Sequence, residues 1–193
     1  MLEKTKKYNF ILGSNSPRRK NILKEMGIDF DVRVSNIDET IPKGIKSNDA
    51  PVFLARSKSR DLKEKLKPNE ILITADTLVF LKKEIISKPS NNKQARETLE
   101  KLSNKKHTVI TGVCICTIEK EKSFSVTTEI SFNKLDNKDI EHYVAKFNPS
   151  DKAGSYGIQE WIGLIGIEEI NGSYTNVVGL PSAKLYQELK KFI

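Results

Sequence analysis

The sequence predicts an α/β fold in which helices flank a mixed, twisted β-sheet. Strand-like and helix-like segments alternate in the first half of the chain, and strands that follow one another directly dominate the middle. The first pattern favours parallel strands and the second favours antiparallel ones, so the sheet should contain both. The 193 residues suit one domain without linker or repeat, and we assign residues 1–193 to a single domain.

Hydrophobic periodicity locates the elements in chain order. Alternation with period two and β-branched runs predict strands, and apolar residues three or four apart predict helices. The predicted strands span residues 10–12, 29–37, 70–80, 107–118, 123–132 and 164–170. The predicted helices span residues 16–27, about 48–66 and 92–102, with two more after Asp136 and after Pro181.

Local signals justify these boundaries. Ser16 and Asp136 are residues that cap helix N-termini, Pro17 suits a first turn, and Gly27 suits a helix end. The run at 70–80 is apolar on both faces, as in a strand covered on both sides. The strand at 123–132 alternates apolar and polar residues, so one of its faces should meet water.

The charge balance favours an anionic partner. Lys and Arg number 33 against 25 Asp and Glu, a formal net charge of +8. A phosphorylated small molecule or a nucleic acid would fit, and a lysine-rich surface that only keeps the protein soluble is the alternative. Aromatic residues make up 7% of the chain, too few for a basic surface with interleaved aromatics, so we expect no stable nucleic acid partner.

Cysteine usage and hydropathy point to the cytoplasm. Cys114 and Cys116 stand two apart in a predicted strand, about 7 Å from each other on one face, which is poor geometry for a disulfide. Two thiols are also too few for a zinc site. The start of the chain lacks the apolar core of a signal peptide, and no run is long enough to span a membrane. We therefore expect a cytoplasmic protein with two buried thiols and no membrane partner.

The stretch "FILGSNSPRR" leads from a strand into a helix N-terminus. Such a turn presents unpaired backbone N–H groups, the hydroxyls of Ser14 and Ser16 and the positive end of the helix dipole. Arg18 and Arg19 add guanidinium groups that match phosphate in a bidentate way. The turn therefore predicts an anion site, with a well-capped helix bearing two exposed arginines as the alternative.

Three further segments carry candidate functional groups. Asp76 follows the apolar run of a strand, and we expect it at the carboxyl end, where open α/β sheets bind ligands. Lys88 in "SKP" precedes a proline that would hold it in one direction. In "DKAGSYGIQ", Gln159 offers a paired donor and acceptor beside two glycines. The alternatives are that Asp76 only forms a turn, that Lys88 is an ordinary surface lysine, and that the segment around Gln159 is a loop without a functional role.

Taken together, these segments resemble a known family. "SNSPRR", "DET", "ARSK", "ADT", "SKP", "TGV", "TTEISF", "DKAGSYGIQ" and "GSYTNVVGLP" follow one another in the order typical of the Maf family of nucleoside triphosphate pyrophosphatases. The resemblance covers roughly residues 10–181. It implies an inosine-triphosphatase-like fold with a central cleft. It also implies hydrolysis of a nucleoside triphosphate between the α and β phosphates with a divalent metal, Mg²⁺ or Mn²⁺.

The resemblance also implies roles for individual residues. Asp76 matches the family's catalytic proton acceptor, and Glu39 in "DET" matches a carboxylate that helps Asp76 bind the metal. The groups expected to hold the phosphates are Ser14, Ser16, Arg19, Lys58 and Lys88. A metal would acidify the attacking water, so that Asp76 need only accept or orient a proton already loosened.

Three positions distinguish branches of the family. Arg18, Thr77 and Gln159 resemble the branch that acts on dTTP and UTP, whereas tryptophan, glutamine and glutamate mark the 7-methylguanine branch. A glutamine amide can donate to and accept from the pairing edge of uracil or thymine, while an acceptor-only glutamate suits guanine. The sequence departs from the family pattern at Thr74, Ser87 and Glu160, where glycine is usual.

Other functions remain as alternatives. They are hydrolysis of 7-methylguanine nucleotides, nucleic-acid binding suggested by the net charge, and regulation of cell division by a nucleotide-binding protein that does not cleave. Clearing unwanted nucleotides from the pool is the cellular role we expect. A homodimer is left open. Trp161 could stack on a base or serve only in packing, and His107 and His142 are interpreted as structural.

Overall fold

Seven strands form a mixed sheet in the computed structural model, which describes residues 7–193. Residues 1–6, part of the segment predicted to lack a signal peptide, lie outside the described residues. The strands are β1 (Asn9–Leu12), β2 (Phe30–Val32), β3 (Glu70–Leu81), β4 (Glu84–Ile86), β5 (Lys106–Cys116), β6 (Glu121–Phe132) and β7 (Ile167–Asn171).

The structure has seven helices among the described residues, and five of them match the predicted positions closely; the fifth and sixth in chain order were not predicted. The seven helices are α1 (Pro17–Glu25), α2 (Ala50–Lys63), α3 (Asn92–Leu102), α4 (Asn137–Phe147), α5 (Trp161–Gly166), α6 (Tyr174–Val178) and α7 (Ser182–Phe192). Short 3₁₀ turns occupy Ser47–Asp49, Pro149–Asp151 and Ala153–Ser155. Within residues 7–193, no helix is both long and apolar enough to cross a membrane.

The strand order is β2-β1-β3-β5-β6-β7, with β4 paired to β3. β1 pairs in parallel with β2 and β3, whereas β3 with β4 and β6 with β7 are antiparallel pairs. The predicted mixed α/β sheet is therefore confirmed.

The chain forms two compact units. Among the described residues, the first comprises 7–76, 111–126 and 179–193, and the second comprises 77–110 and 127–178. Strands β3, β5 and β6 contribute residues to both units. The assignment of residues 1–193 to one domain stays a prediction.

The core of the first unit lies between its parallel strands and α2. Its buried residues include Ile11, Ala55, Leu62, Leu66, Leu72, Cys114 and Cys116. Both cysteines are free thiols with no solvent exposure, as predicted, and burial raises the pKa of Cys114 to about 12. Burial also raises the pKa of Cys116, so both thiols stay protonated near neutral pH.

Gly112 of β5 allows the start of α2 to lie against the sheet. A Cβ atom at this position would lie 2.3 Å from the backbone carbon of Pro51 and from the backbone nitrogen of Val52. Because backbone atoms cannot move aside as a flexible side chain can, a residue without a side chain is required here. This contact sets the position of the helix that carries Lys58.

Four sequence predictions about the elements were wrong. β2 ends at Val32 and not at residue 37, because its partner β1 ends at Leu12 and the last hydrogen bond runs from Arg33 N to Leu12 O. Residues 164–166 belong to helix α5 and not to a strand. The strand predicted at 164–170 therefore begins only at Ile167, where β7 starts. The segment that forms β4 was predicted to be a turn, and the segment that forms α6 was predicted to be a loop.

His107 is a core residue of the second unit. Its ring makes edge-on contacts with Phe132 and Tyr156, and its Nε2 lies 2.7 Å from the Tyr156 hydroxyl. Burial lowers the pKa of His107 to about 4, since the charged ring would lose its hydration. The side chain is thus neutral in the folded protein at physiological pH.

This shift predicts a pH dependence of stability. Between the ordinary pKa of 6.5 and about 4, the unfolded chain binds a proton at His107 that the folded chain does not. The free energy of unfolding should therefore have its full value above pH 6.5 and fall by up to about 3 kcal/mol as the pH drops to about 4. Urea unfolding from pH 7 to pH 4 should show a smaller decrease for His107→Gln than for the parent chain. The control is His142→Gln, at an exposed histidine, and it should show the same decrease as the parent chain. An equal decrease in the parent chain and in both variants would show that His107 does not cause the pH dependence.

Candidate active site

A lysine bridges two carboxylates in the first unit. Lys58 Nζ lies 2.6 Å from Asp76 Oδ1 and 2.7 Å from Glu39 Oε1. The side chains of Lys58 and Asp76 are only 11% and 10% exposed, whereas that of Glu39 is 48% exposed. We call these three residues the carboxylate–lysine cluster. A buried ammonium needs such partners, because desolvation of an unpaired charge is costly.

Helix α2 places Lys58 on its buried face. Lys58 stands four residues from both Leu54 and Leu62, which are each 2% exposed, so all three lie on one side of the helix. The Thr74 hydroxyl donates a 2.7 Å hydrogen bond to the carbonyl oxygen of Ala55, one turn before Lys58. Thr74 thus ties β3 to the helix that carries the lysine.

Asp76 lies within β3 and not at its carboxyl end, so that prediction was wrong. The strand continues to Leu81 because β4 pairs with it from Val79 onward. The parallel pairing of β3 with β1 ends at Ile73, opposite Leu12. Asp76 therefore lies just beyond the carboxyl end of β1, on a strand that keeps its backbone extended.

The predicted turn after β1 is ordered by its own hydroxyl groups. Ser14 Oγ accepts from Ser16 N at 3.2 Å and from Arg19 Nη1 at 3.1 Å. Ser16 caps α1 by accepting from Arg19 N at 3.5 Å. Arg19 Nε also donates to Gly179 O at 2.8 Å. These contacts fix the guanidinium of Arg19 beside the N-terminus of α1.

Arg19 shares the electrostatic environment of the carboxylate–lysine cluster. Burial lowers the pKa of Arg19, the charges of Asp76 and Glu39 act in the opposite direction, and neighbouring Arg18 adds to the lowering. An arginine stays protonated in spite of such a shift. The first unit therefore brings together Ser14, Ser16, Arg18, Arg19, Glu39, Lys58 and Asp76.

Glu39 and Asp76 suit a divalent cation. Their oxygens both contact one cationic nitrogen, and carboxylate oxygens are the ligands that Mg²⁺ and Mn²⁺ prefer. Within the described part of the chain, no group of three His, Cys, Asp or Glu side chains is arranged to hold a metal. Two protein carboxylates, completed by substrate phosphates and water, are typical of Mg²⁺ sites. The residues present therefore fit such an ion.

The other three predicted site residues belong to the second unit. Thr77 follows Asp76 on β3 and is half-buried, and Lys88 is exposed between β4 and α3. Gln159 is exposed in the turn before α5. Trp161 lies edge-on to His142 at 5.0 Å between ring centroids, a packing contact within the unit.

Sequence reasoning missed two residues near Gln159. Tyr143 was interpreted only as an apolar helix residue and Lys152 only as part of a motif, yet both contact Glu160. Lys152 is 8% exposed, although it lies in a polar segment between Asp151 and Ala153, where nothing in the flanking residues indicates its burial. Their contacts hold the Gln159 turn.

Comparisons with known proteins show full-length relatives of this chain. A relative from Parabacteroides distasonis, named "dTTP/UTP pyrophosphatase", is 52% identical over 193 residues, 100% of both chains. A relative from Phocaeicola vulgatus with the same name is 48% identical over 192 residues, 99% of this chain and 100% of that protein. A solved dITP/XTP pyrophosphatase from Mycobacterium abscessus has a TM-score of 0.42 and 12% identity over 66% of this chain and 75% of its own, too low a likeness to assign a fold.

The family assignment rests on nearly the whole chain. The sequence model of the Maf family, described as "Maf-like protein", matches residues 9–192. That range contains every residue of the carboxylate–lysine cluster and of the turn after β1. The chain belongs to the Maf family.

Proposed function

We propose that this chain is a nucleoside triphosphate pyrophosphatase that hydrolyses dTTP and UTP to the monophosphate and pyrophosphate. The observation that carries the proposal is the carboxylate–lysine cluster with Arg19 beside it: a buried carboxylate together with two cationic side chains. Relatives at 48–52% identity carry the name of this activity. Removal of unwanted nucleotides is the cellular role that fits.

The residues divide into phosphate binding and proton transfer. The triphosphate carries about four negative charges, which Arg19, Lys58 and Lys88 would neutralise while the turn at Ser14 and Ser16 donates hydrogen bonds. Asp76 would orient the attacking water and accept its proton. Its burial and its contact with Lys58 hold the carboxylate in one position.

Glu39 and Asp76 would hold the divalent cation. Mg²⁺ or Mn²⁺, when bound, supplies positive charge at the phosphates and lowers the pKa of a coordinated water. Because Glu39 is half-exposed and Asp76 is buried, Glu39 has more freedom to adjust to the incoming ion–nucleotide pair.

A nucleotide panel tests the proposal. Purified protein with Mg²⁺ or Mn²⁺ should release pyrophosphate from dTTP and UTP at a higher kcat/KM than from purine nucleotides or 7-methyl-GTP. Preference for 7-methyl-GTP would reassign the branch. Salt-dependent oligonucleotide binding without any pyrophosphate release would overturn the enzymatic assignment.

Gln159→Glu should weaken selection of the pyrimidine base. A glutamate cannot donate to the carbonyl groups of uracil or thymine, and a mismatched buried polar group costs about 1–3 kcal/mol. We expect kcat/KM for UTP and dTTP to fall roughly 10- to 100-fold, measured by pyrophosphate release. Gln187→Glu, at an exposed position of α7, introduces the same charge and should leave the substrate profile unchanged. An unaltered profile in Gln159→Glu would remove this role from Gln159.

A further inference from the structure

Gln159 lies in a tight turn. Glu160 N donates to Gly157 O at 3.0 Å, which closes the turn, and Gln159 occupies its third position with an exposed side chain. A turn held only by that hydrogen bond would leave the direction of the amide poorly defined, because short exposed turns open readily.

Side chains outside the turn hold both of its ends. The Tyr143 hydroxyl donates to Glu160 Oε2 and accepts from Gly157 N at 3.0 Å. Tyr143 is fully buried on α4 and its ring stacks on Phe147 at 5.2 Å between centroids. One rigid phenol therefore contacts the first and the last residue of the turn.

Lys152 fixes the other oxygen of the same carboxylate. Its ammonium lies 3.2 Å from Glu160 Oε1 and 2.8 Å from Asp151 Oδ1, and its side chain is only 9% exposed. With Tyr143 on Oε2 and Lys152 on Oε1, both oxygens of Glu160 have partners, so the carboxylate has one orientation.

The Glu160 side chain also packs directly against Gly157. A Cβ atom at Gly157 would lie 2.6 Å from Glu160 Cδ and 2.8 Å from Glu160 Oε2, so a larger residue there would displace the carboxylate from this position. The two residues fit each other across the turn, and the turn cannot open without breaking the contacts of Glu160 with Tyr143 and Lys152.

We propose that Glu160, held by Tyr143 and Lys152, is a positioning residue that fixes the Gln159 turn so that the Gln159 amide meets the pyrimidine base in one orientation. The inference rests on the proposed function, in which Gln159 recognises the base. Glu160 acts through Gln159 and does not itself contact the substrate. Its effect should therefore fall on substrate binding and should depend on the presence of Gln159.

A double-mutant cycle tests the proposal. In the parent background, Glu160→Ala should raise KM for UTP about tenfold and change kcat less than threefold. In the Gln159→Ala background, the same substitution should change KM less than twofold, because no amide remains to be positioned. Glu160→Gln, which keeps an acceptor for the Tyr143 hydroxyl but turns an amide N–H toward the Lys152 ammonium, should recover only part of the parent KM. Tyr143→Phe, which keeps the ring, should raise KM several-fold.

Glu188→Ala is the matched control. Glu188 is also a largely buried glutamate paired with a lysine, at 2.9 Å from Lys184, but it lies on α7. It should lower the melting temperature without changing KM for UTP.

Two results would overturn the inference. One is an equal effect of Glu160→Ala on KM in both backgrounds, with the parent chain still hydrolysing UTP, which would leave the proposed function intact. The other is a parent chain that releases no pyrophosphate from any nucleotide, which would remove the proposed function and this inference together.

Discussion

Replacing Asp76 by asparagine is expected to lower kcat for UTP and dTTP by about 10²- to 10⁴-fold, the range typical of removing a general base. Asparagine has nearly the same shape but cannot accept a proton. The burial of Asp76, whose side chain is 10% exposed, leaves little room for solvent to substitute for the carboxylate. The rate of pyrophosphate release at saturating nucleotide and metal measures the effect directly.

Asp61→Asn is the control for this variant. Asp61 is exposed on α2, the helix that carries Lys58, so the same chemical change there should leave kcat unaltered. The melting temperature of both variants separates lost chemistry from lost folding. Turnover within threefold of the parent in a folded Asp76→Asn protein would show that another group accepts the proton.

Replacing Lys58 by methionine is expected to have two opposite effects. Turnover should fall by about 10²-fold or more, because a cation beside the phosphates is lost where the surroundings are partly desolvated. Binding of Mn²⁺ without nucleotide should become at least tenfold tighter. The ammonium lies 2.6 Å and 2.7 Å from the two carboxylate oxygens, so it competes with any cation that would bridge them.

Titration calorimetry with Mn²⁺ measures the second effect independently of activity. Lys101→Met is the matched control, since Lys101 Nζ lies 2.6 Å from both oxygens of a single carboxylate, Glu84, in an exposed ion pair. It should change neither Mn²⁺ binding nor turnover. Weaker or equal Mn²⁺ binding by Lys58→Met would mean that the lysine does not occupy the position of the metal.

The features of the fold that could be predicted from the sequence depend on interactions between residues close together in the chain. The N-cap at Ser16, the proline after it and the apolar spacing of α1 act within one or two helical turns, so they can be read without knowing the rest of the chain. The apolar run of β3 likewise marks a strand by itself. The length of β2 could not be found in this way, because the partner strand decides where the pairing ends.

The same distinction between local and tertiary interactions applies to the candidate site. The sequence by itself determined which residue types are available: a serine-rich turn before α1, two arginines, and carboxylates at Glu39 and Asp76. Only the tertiary structure decided that one ammonium, on the buried face of α2, contacts both carboxylates. It also decided that Glu160 is held by Tyr143 and Lys152. These contacts join residues from different helices, strands and turns, and they depend on how those elements pack together, which no local pattern of residues specifies.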